Sequence, residues 1–488
     1  MTEPRPTKKT RTLIDALLAV KMLISFWNCL RFPAQGGYDN YMHSGRAVNA
    51  GLRATRMDYD PPFYYFVNLP TLLLDPAAKK DVDGLMTVIE WSNVLYLLLF
   101  YIVWIYFIFP RVLPGARSWT VASVILLALP GYQKLAAMVH SDNILTTFTA
   151  CTFACWLWLD RRRARFEGVG GRGEPYRRRA LFGFAAIIGM TGLTRPFAVL
   201  PVALFSILAL RETWAISRPK ISRFVARAAP LMLLVGALSG TWYVYRWRRA
   251  HVVLDAYNHS YIDDYQQYKP DFSFKHYFTS FYFRELLHTP NRKMFTDDPD
   301  AEPGKNRYAN SFFTLAYSEM WGDQWLYFSG RGEEKLWEKR VVLAGAMPLT
   351  LFLLAAWPLG LLRALREIVR RRRWTTPPTI VLVMMLGAMA LYLWWQTHPG
   401  LLPGKNSSVK FIYIAYAVPF VVSMCMSYRM GRREYRVMLP LCLLTFALAA
   451  PISFYWDTPK VRGRRHKHDQ VETPVETRLV LPQGRAAG

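Results

Sequence analysis

Apolar residues fall along this chain in blocks, separated by polar stretches that alternate in character. The first block runs over about 11–30, and others follow at about 86–109, 118–132, 143–159, 180–193, 197–210 and 228–245. After a long polar interval come blocks at about 341–362, 378–395, 410–427 and 437–454. Roughly 20 apolar residues make a helix that crosses a bilayer, so the pattern predicts an all-α polytopic membrane protein with about 11 transmembrane helices. Residues 63–74 read as a short interfacial or re-entrant piece. Asp15 and Lys21 lie inside the first block. An ionisable residue in a span faces neighbouring helices, so this helix is expected to pack against a bundle. No internal repeat and no soluble catalytic domain is visible.

The polar stretches set an expected orientation. Arginines cluster between alternate blocks, most densely from Arg161 to Arg179 and again from Arg370 to Arg373. Such clusters mark cytoplasmic loops, which places the N-terminus, with Arg5, Lys8 and Lys9, in the cytosol. The expected membrane is the cell inner membrane, or the endoplasmic reticulum in a eukaryote. Residues 1–247 form an N-terminal transmembrane module whose first outer loop is 31–85. Residues 248–338 carry fourteen acids against eleven bases, the reverse of the arginine-rich loops. They read as an extracytoplasmic insert. A C-terminal transmembrane module follows over 339–455, and 456–488 is a basic tail of disordered composition.

The net charge of +27 would suggest a nucleic-acid partner in a soluble protein. Here the arginines sit between apolar blocks, so the expected surface partner is the bilayer and nucleic acid is excluded. The five cysteines, Cys29, Cys151, Cys155, Cys425 and Cys442, lie in or beside apolar blocks and show no metal-site or disulfide spacing.

Candidate chemistry gathers on the outer face. Residues 37–65 hold Asp39, Asp58 and Asp60 among Tyr38, Tyr41 and His43, and end in Pro61-Pro62 followed by aromatics. The plain alternative is a solvated loop whose acids pair with Arg46, Arg53 and Arg56. The same topology brings His140-Ser141-Asp142, the Thr194-Arg195-Pro196 hinge and a loop with Lys405 and Lys410 to that face. An arginine between two apolar spans needs a partner, and its forked donors suit phosphate, which nominates Arg195. Lys410 and Lys405 are the further phosphate-binding candidates. His140 and Asp142 suit sugar hydroxyls or a metal, but two ligands are too few to assign one. No cofactor is therefore assigned, and a divalent metal stays open.

Tyr38-Asp39-Asn40, with Asp58-Tyr59-Asp60-Pro61-Pro62-Phe63-Tyr64-Tyr65, resembles the first outer loop of the GT-C glycosyltransferases. That superfamily includes the protein O-mannosyltransferases and the lipid A aminoarabinose transferases. Ser141-Asp142-Asn143-Ile144-Leu145-Thr146-Thr147-Phe148 is similar to the start of the family's fourth span, and Lys410-Phe411-Ile412-Tyr413 to that of a late span. Two positions depart from the pattern. Asn40 stands where a second acid is usual, and Asp60 where a His or Lys often precedes Pro-Pro. The Trp-Trp-Asp motif of oligosaccharyltransferase catalytic subunits is absent.

The resemblance implies a GT-C-like bundle and transfer of a sugar from a polyprenyl-phosphate-linked donor to a lipid, glycan or protein acceptor. Asp39 would be the general base, with Asp60 as its partner, and a single displacement would invert the anomeric carbon. The rival from another class is a transporter or flippase of a lipid-linked or anionic solute, using the same charges without a base.

Overall fold

The computed structural model describes residues 6–31, 82–138, 140–168, 178–217, 220–250, 274–288, 311–321, 336–371, 376–397 and 414–452. Among them all regular structure is helical. The first helices are α1 (Lys8–Arg31), α2 (Val82–Ile102), α3 (Phe109–Val112), α4 (Ala116–Ala128), α5 (Gly131–Ala136) and α6 (Asp142–Gly168). Then come α7 (Arg178–Gly192), α8 (Val199–Ser217), α9 (Ile221–Ala250), α10 (Phe274–Thr279), α11 (Phe283–His288) and α12 (Phe312–Trp321). The last are α13 (Leu336–Arg371), α14 (Pro377–Thr397), α15 (Val418–Cys425) and α16 (Arg432–Ile452). A π turn, Val103–Ile108, joins α2 to α3, and a 3-10 turn, Pro196–Ala198, leads into α8.

A helix falls at every apolar block, while length and hydropathy among the described residues mark fewer complete crossings than the eleven expected. Among the described residues five helices are long and apolar enough to cross a membrane: Lys8–Leu30, Ile89–Val112, Val199–Ser217, Ile221–Val244 and Arg340–Arg370. The shortfall has local causes. The 13 residues of α4 and the 8 of α15 are too few for a complete crossing. Although α6 has 27 residues, it ends in the arginine-rich stretch Asp-Arg-Arg-Arg-Ala-Arg-Phe-Glu-Gly. Leu23, Leu95, Leu233, Leu354 and Val369 point outward from the bundle, as side chains facing lipid do.

At the centre lies α4, in which every residue from 118 to 128 is buried. A helix apolar on all sides belongs inside a bundle. Packed around it are α1, α3, α15 and α16. Two of its hydroxyls fold back on their own helix: Thr120 Oγ1 donates to Ala116 O at 2.7 Å and Ser123 Oγ to Trp119 O at 2.8 Å. The neighbouring π turn is sealed from α4. Phe109 N–H reaches back five residues to Trp104 O. The next carbonyl, Ile105 O, would in the same pattern accept from residue 110, but Pro110 has no N–H to give. Trp119 Nε1 supplies the missing donor at 2.6 Å.

The helix stops at Ala128, well short of a crossing, because Pro130 lacks an amide proton and biases the preceding residue away from helical geometry. The chain resumes as the single short helix α5, then loops into α6. Carbonyls freed inside an apolar bundle need donors, and four other side chains supply them. Lys21 Nζ donates to Leu129 O at 2.7 Å and also to Gln133 Oε1. Asn143 Nδ2 donates to Leu135 O at 2.7 Å and Asn93 Nδ2 to Met138 O at 2.8 Å. Cys29 Sγ approaches Ala136 O at 3.7 Å. In return, Tyr132 of α5 donates its hydroxyl to Ala415 O at 2.8 Å, fastening the chain that enters α15. From the 248–338 region, α12 packs on the same short helix.

Lys21 is thus buried, as expected of a charge facing the bundle, and lies at the carbonyl end of α4, where the helix dipole favours a cation. Asp15 is exposed by comparison, although it accepts a hydrogen bond from the Tyr106 hydroxyl.

Replacing Lys21 by Met leaves Leu129 O and the Gln133 amide oxygen without this donor. The expected cost is about 1–3 kcal/mol for each unmade bond, read as a fall in Tm in detergent. A raised Tm would show that shedding a buried charge outweighs the lost bonds.

Candidate functional site

The break between α4 and α6 places polar side chains inside the bundle. Asn143 holds the loop in shape, with Nδ2 also 3.3 Å from both Met138 O and His140 O. Asp142 then opens α6, and its carbonyl accepts from Thr146 Oγ1 at 2.7 Å. Across from it, α7 closes with two tight turns, Leu193 N to Met190 O and Thr194 N to Thr191 O, each 3.1 Å. Thr191 also meets Thr152 of α6 at 3.0 Å, which ties the end of α7 to α6. Pro196 cannot extend α7, so the chain turns and presents Arg195 beside the start of α6.

Arg195, Asp142 and His140 form one cluster there. Arg195 Nε donates to Asp142 Oδ1 at 3.3 Å and Nη2 to Oδ2 at 3.1 Å, a forked pairing of guanidinium and carboxylate. His140 Nδ1 lies 2.9 Å from Asp142 Oδ2, and its Nε2 lies 3.3 Å from Arg195 Nη2. A guanidinium only donates, so Nε2 of a neutral ring accepts from Arg195, while Nδ1 faces both the carboxylate and, at 3.4 Å, the Asp142 N–H. Asp142 is fully buried and His140 and Arg195 nearly so, with 1% and 8% exposure. Burial alone would push the Asp142 carboxyl up, but the Arg195 charge and then His140 outweigh it and hold the group below the usual carboxylate range.

Three residues nominated from the sequence, Arg195, His140 and Asp142, are therefore in mutual contact. Tyr38, Asp39, Tyr41, His43, Asp58, Asp60, Lys405 and Lys410 lie outside the described residues. Two neighbours were not among the residues nominated for the site. Ser141 Oγ is buried with no hydrogen-bond partner among the described residues. Tyr416, buried just beyond the Ala415 anchor, lies within electrostatic reach of Asp142. Position 416, three residues past the noted Tyr413, was the available hint for Tyr416. Ser141 stood in the quoted 141–148 motif without a role of its own.

No family model matches this sequence. No curated protein matches it either. Among solved structures, the chain is similar to the archaeal oligosaccharyltransferase AglB from Archaeoglobus fulgidus in complex with an inhibitory peptide and a dolichol-phosphate. The identity is 12% and the TM-score 0.45, over 96% of this chain and 59% of that one. This chain thus spans less than two thirds of that protein. It is also similar to ArnT from Cupriavidus metallidurans bound to undecaprenyl phosphate, at 16% identity and a TM-score of 0.35, over 92% of this chain and 90% of that one. The apo state of ArnT matches at 15% identity and a TM-score of 0.35, over 86% of this chain and 78% of that one.

Chemically, the cluster is an ordered carboxylate with a cation and an imidazole fixed against it. Among the described residues no group of three or more His, Cys, Asp or Glu gathers as a metal site, and Arg195 engages both oxygens of Asp142. The arrangement suits hydrogen bonding to hydroxyls and attraction of an anion more directly than metal binding.

Asp142→Asn leaves the Arg195 guanidinium buried beside a neutral amide. The expected loss is about 3–5 kcal/mol of stability, and adding Arg195→Met recovers a large part of it. Thermal unfolding of the two single variants and the double variant checks this.

Proposed function

We propose that this protein is an integral membrane glycosyltransferase of the GT-C kind. It moves a sugar from a polyprenyl-phosphate-linked donor to an acceptor on the non-cytoplasmic side. The observation that carries the reading is the buried His140–Asp142–Arg195 cluster at the broken junction of α4 and α6. A mixed carboxylate, imidazole and guanidinium set, shielded from water, suits a polar substrate whose leaving group is anionic. The anchoring of Ala415 by Tyr132 adds to it, since the chain segment with Lys405 and Lys410 leads directly to this point.

In the proposed mechanism Asp39 removes the proton of the acceptor hydroxyl, which attacks the anomeric carbon from the face opposite the phosphate. The bond to the donor oxygen breaks, the configuration inverts, and the polyprenyl phosphate leaves against Lys410 and Lys405. Arg195, ordered in advance by Asp142, completes the cationic side of the site. His140 and Asp142 bind sugar hydroxyls. Asp60 assists Asp39, and Tyr38, Tyr41, His43 and Asp58 line the acceptor side.

The rival transporter or flippase has one observation in its favour, the broken helix at α4 and α5, because transporters use freed helix ends to hold substrates and ions. Here the carbonyls of Leu129, Leu135, Ala136, Met138 and His140 are already taken by protein side chains. That leaves less for a transported ion to bind and favours the transferase.

The test is transfer from a radiolabelled polyprenyl-phosphate sugar in membranes carrying wild type or Asp39→Asn at equal expression. A general base contributes about 10²- to 10⁴-fold, so transfer should fall by that order. Transfer that survives in Asp39→Asn rules out that residue as the base. Donor binding without any turnover by the wild type favours the transporter.

A further inference from the structure

The helices α6 and α8 run in the same direction, each starting on the face where Asp142 meets Arg195. A second ionic junction joins the same two helices at their far ends. Arg163 of α6 places Nε 2.9 Å from Glu212 Oε2 of α8, and Glu212 is fully buried. Reciprocally, Arg211 of α8 lies 3.6 Å from Asp160 Oδ1 of α6, and 2.6 Å from Glu212 Oε1 on its own helix. Asp160 Oδ1 and Glu167 Oε1 hold the Arg163 guanidinium from its own side, at 2.5 and 3.2 Å. Each helix therefore contributes one acid and one arginine to the crossing.

The two junctions are roughly 31 Å apart along α6, at 1.5 Å per residue. Between them the helices meet through apolar contacts such as the Phe153 and Phe205 rings, 6.2 Å between centroids, which carry no hydrogen bond. A buried carboxylate that loses its cation is strongly penalised, so the far junction resists sliding of α8 along α6. A slip of one residue, about 1.5 Å, is enough to take Arg195 Nη2 out of hydrogen-bond range of Asp142.

We propose that Arg163 and Glu212 are positioning residues: their ion pair sets the axial register of α8 on α6 and so delivers Arg195 to Asp142 on the opposite face. The register part stands without the transferase reading. Only the donor-affinity part rests on it.

The experiment uses the full chain in detergent or nanodiscs. Glu212→Gln is compared with Asp142→Asn, with the double variant, and with Asp160→Asn as a milder break of the same junction. Glu167→Gln serves as the control, because Glu167 contacts Arg163 from within α6. In Glu212→Gln, the amides of residues 193–195, 197 and 198 should exchange about tenfold faster, although they lie at the other end of α8. Its Tm loss should combine with that of Asp142→Asn to less than the sum. Asp160→Asn should show the same remote effect more weakly, and Glu167→Gln none. Additive Tm losses, with faster exchange confined to residues near Glu212 in both Glu212→Gln and Asp160→Asn, would overturn the proposal.

In the transfer assay, Glu212→Gln should raise the KM for the lipid-phosphate donor about tenfold with kcat nearly unchanged, and Glu212→Asp should recover part of it. A fall in kcat with an unchanged KM would refute that part. A wild type that transfers nothing would remove the transferase reading and leave the exchange and Tm results to decide the register.

Discussion

A peptide backbone that leaves helical geometry inside an apolar bundle must find donors for the carbonyls it releases, and much of this structure follows from meeting that demand once. Pro130 stops α4 partway, and carbonyls such as those of Leu129, Ala136 and Met138 need donors from outside the broken helix. Lys21 from α1, Asn93 from α2 and Asn143 from α6 close most of them. Because each donor comes from a different helix, closing the break also fixes how those helices sit around it. The polar residues within this part of the bundle are then largely accounted for by backbone chemistry.

The same break brings His140 and Asp142 indoors, where a carboxylate without a cation would be costly. Arg195 meets it, and the turn that ends α7 exists in a form that lets it do so. The candidate site is therefore continuous with the scaffold. Tyr132 points one way from α5 to hold Ala415, while the loop beyond α5 supplies His140. A disturbance at the α4 terminus is felt at both.

The sequence made the helices legible because blocks of apolar residues mark where a chain can be buried, and a helix was found at every block. It also showed that Lys21 faces inward and that 133–142 and 195 carry unusual polarity between apolar blocks. It did not show what Lys21 touches, since capping a helix more than a hundred residues away leaves no local pattern. Glu212 is a sharper case. In sequence it is one acid in a run beside Arg211, and only the packing of α8 on α6 reveals a fully buried carboxylate crossing to Arg163. The π turn was invisible for a related reason: Trp119 and Pro110 look ordinary apart, and their meaning lies in the carbonyl of Ile105 between them. An apolar block is not by itself a crossing, and α4 shows that such a block can stop halfway.

The Tyr132 bond to Ala415 has a consequence for how the protein is made. Its partners are 283 residues apart, and Ser118, which donates to Tyr428 O, waits across 310. Ribosomes add residues in order, so the central helix enters the bilayer long before the segments that complete its surroundings exist. Until α15 and α16 emerge, a 13-residue helix too short to settle in lipid by itself must lean on α1 and the Ile89–Val112 span that precede it, with Lys21 already seated at its end. This early group is then a waiting room for the rest of the chain. Biosynthesis must keep it sheltered until the last helices arrive to close the door.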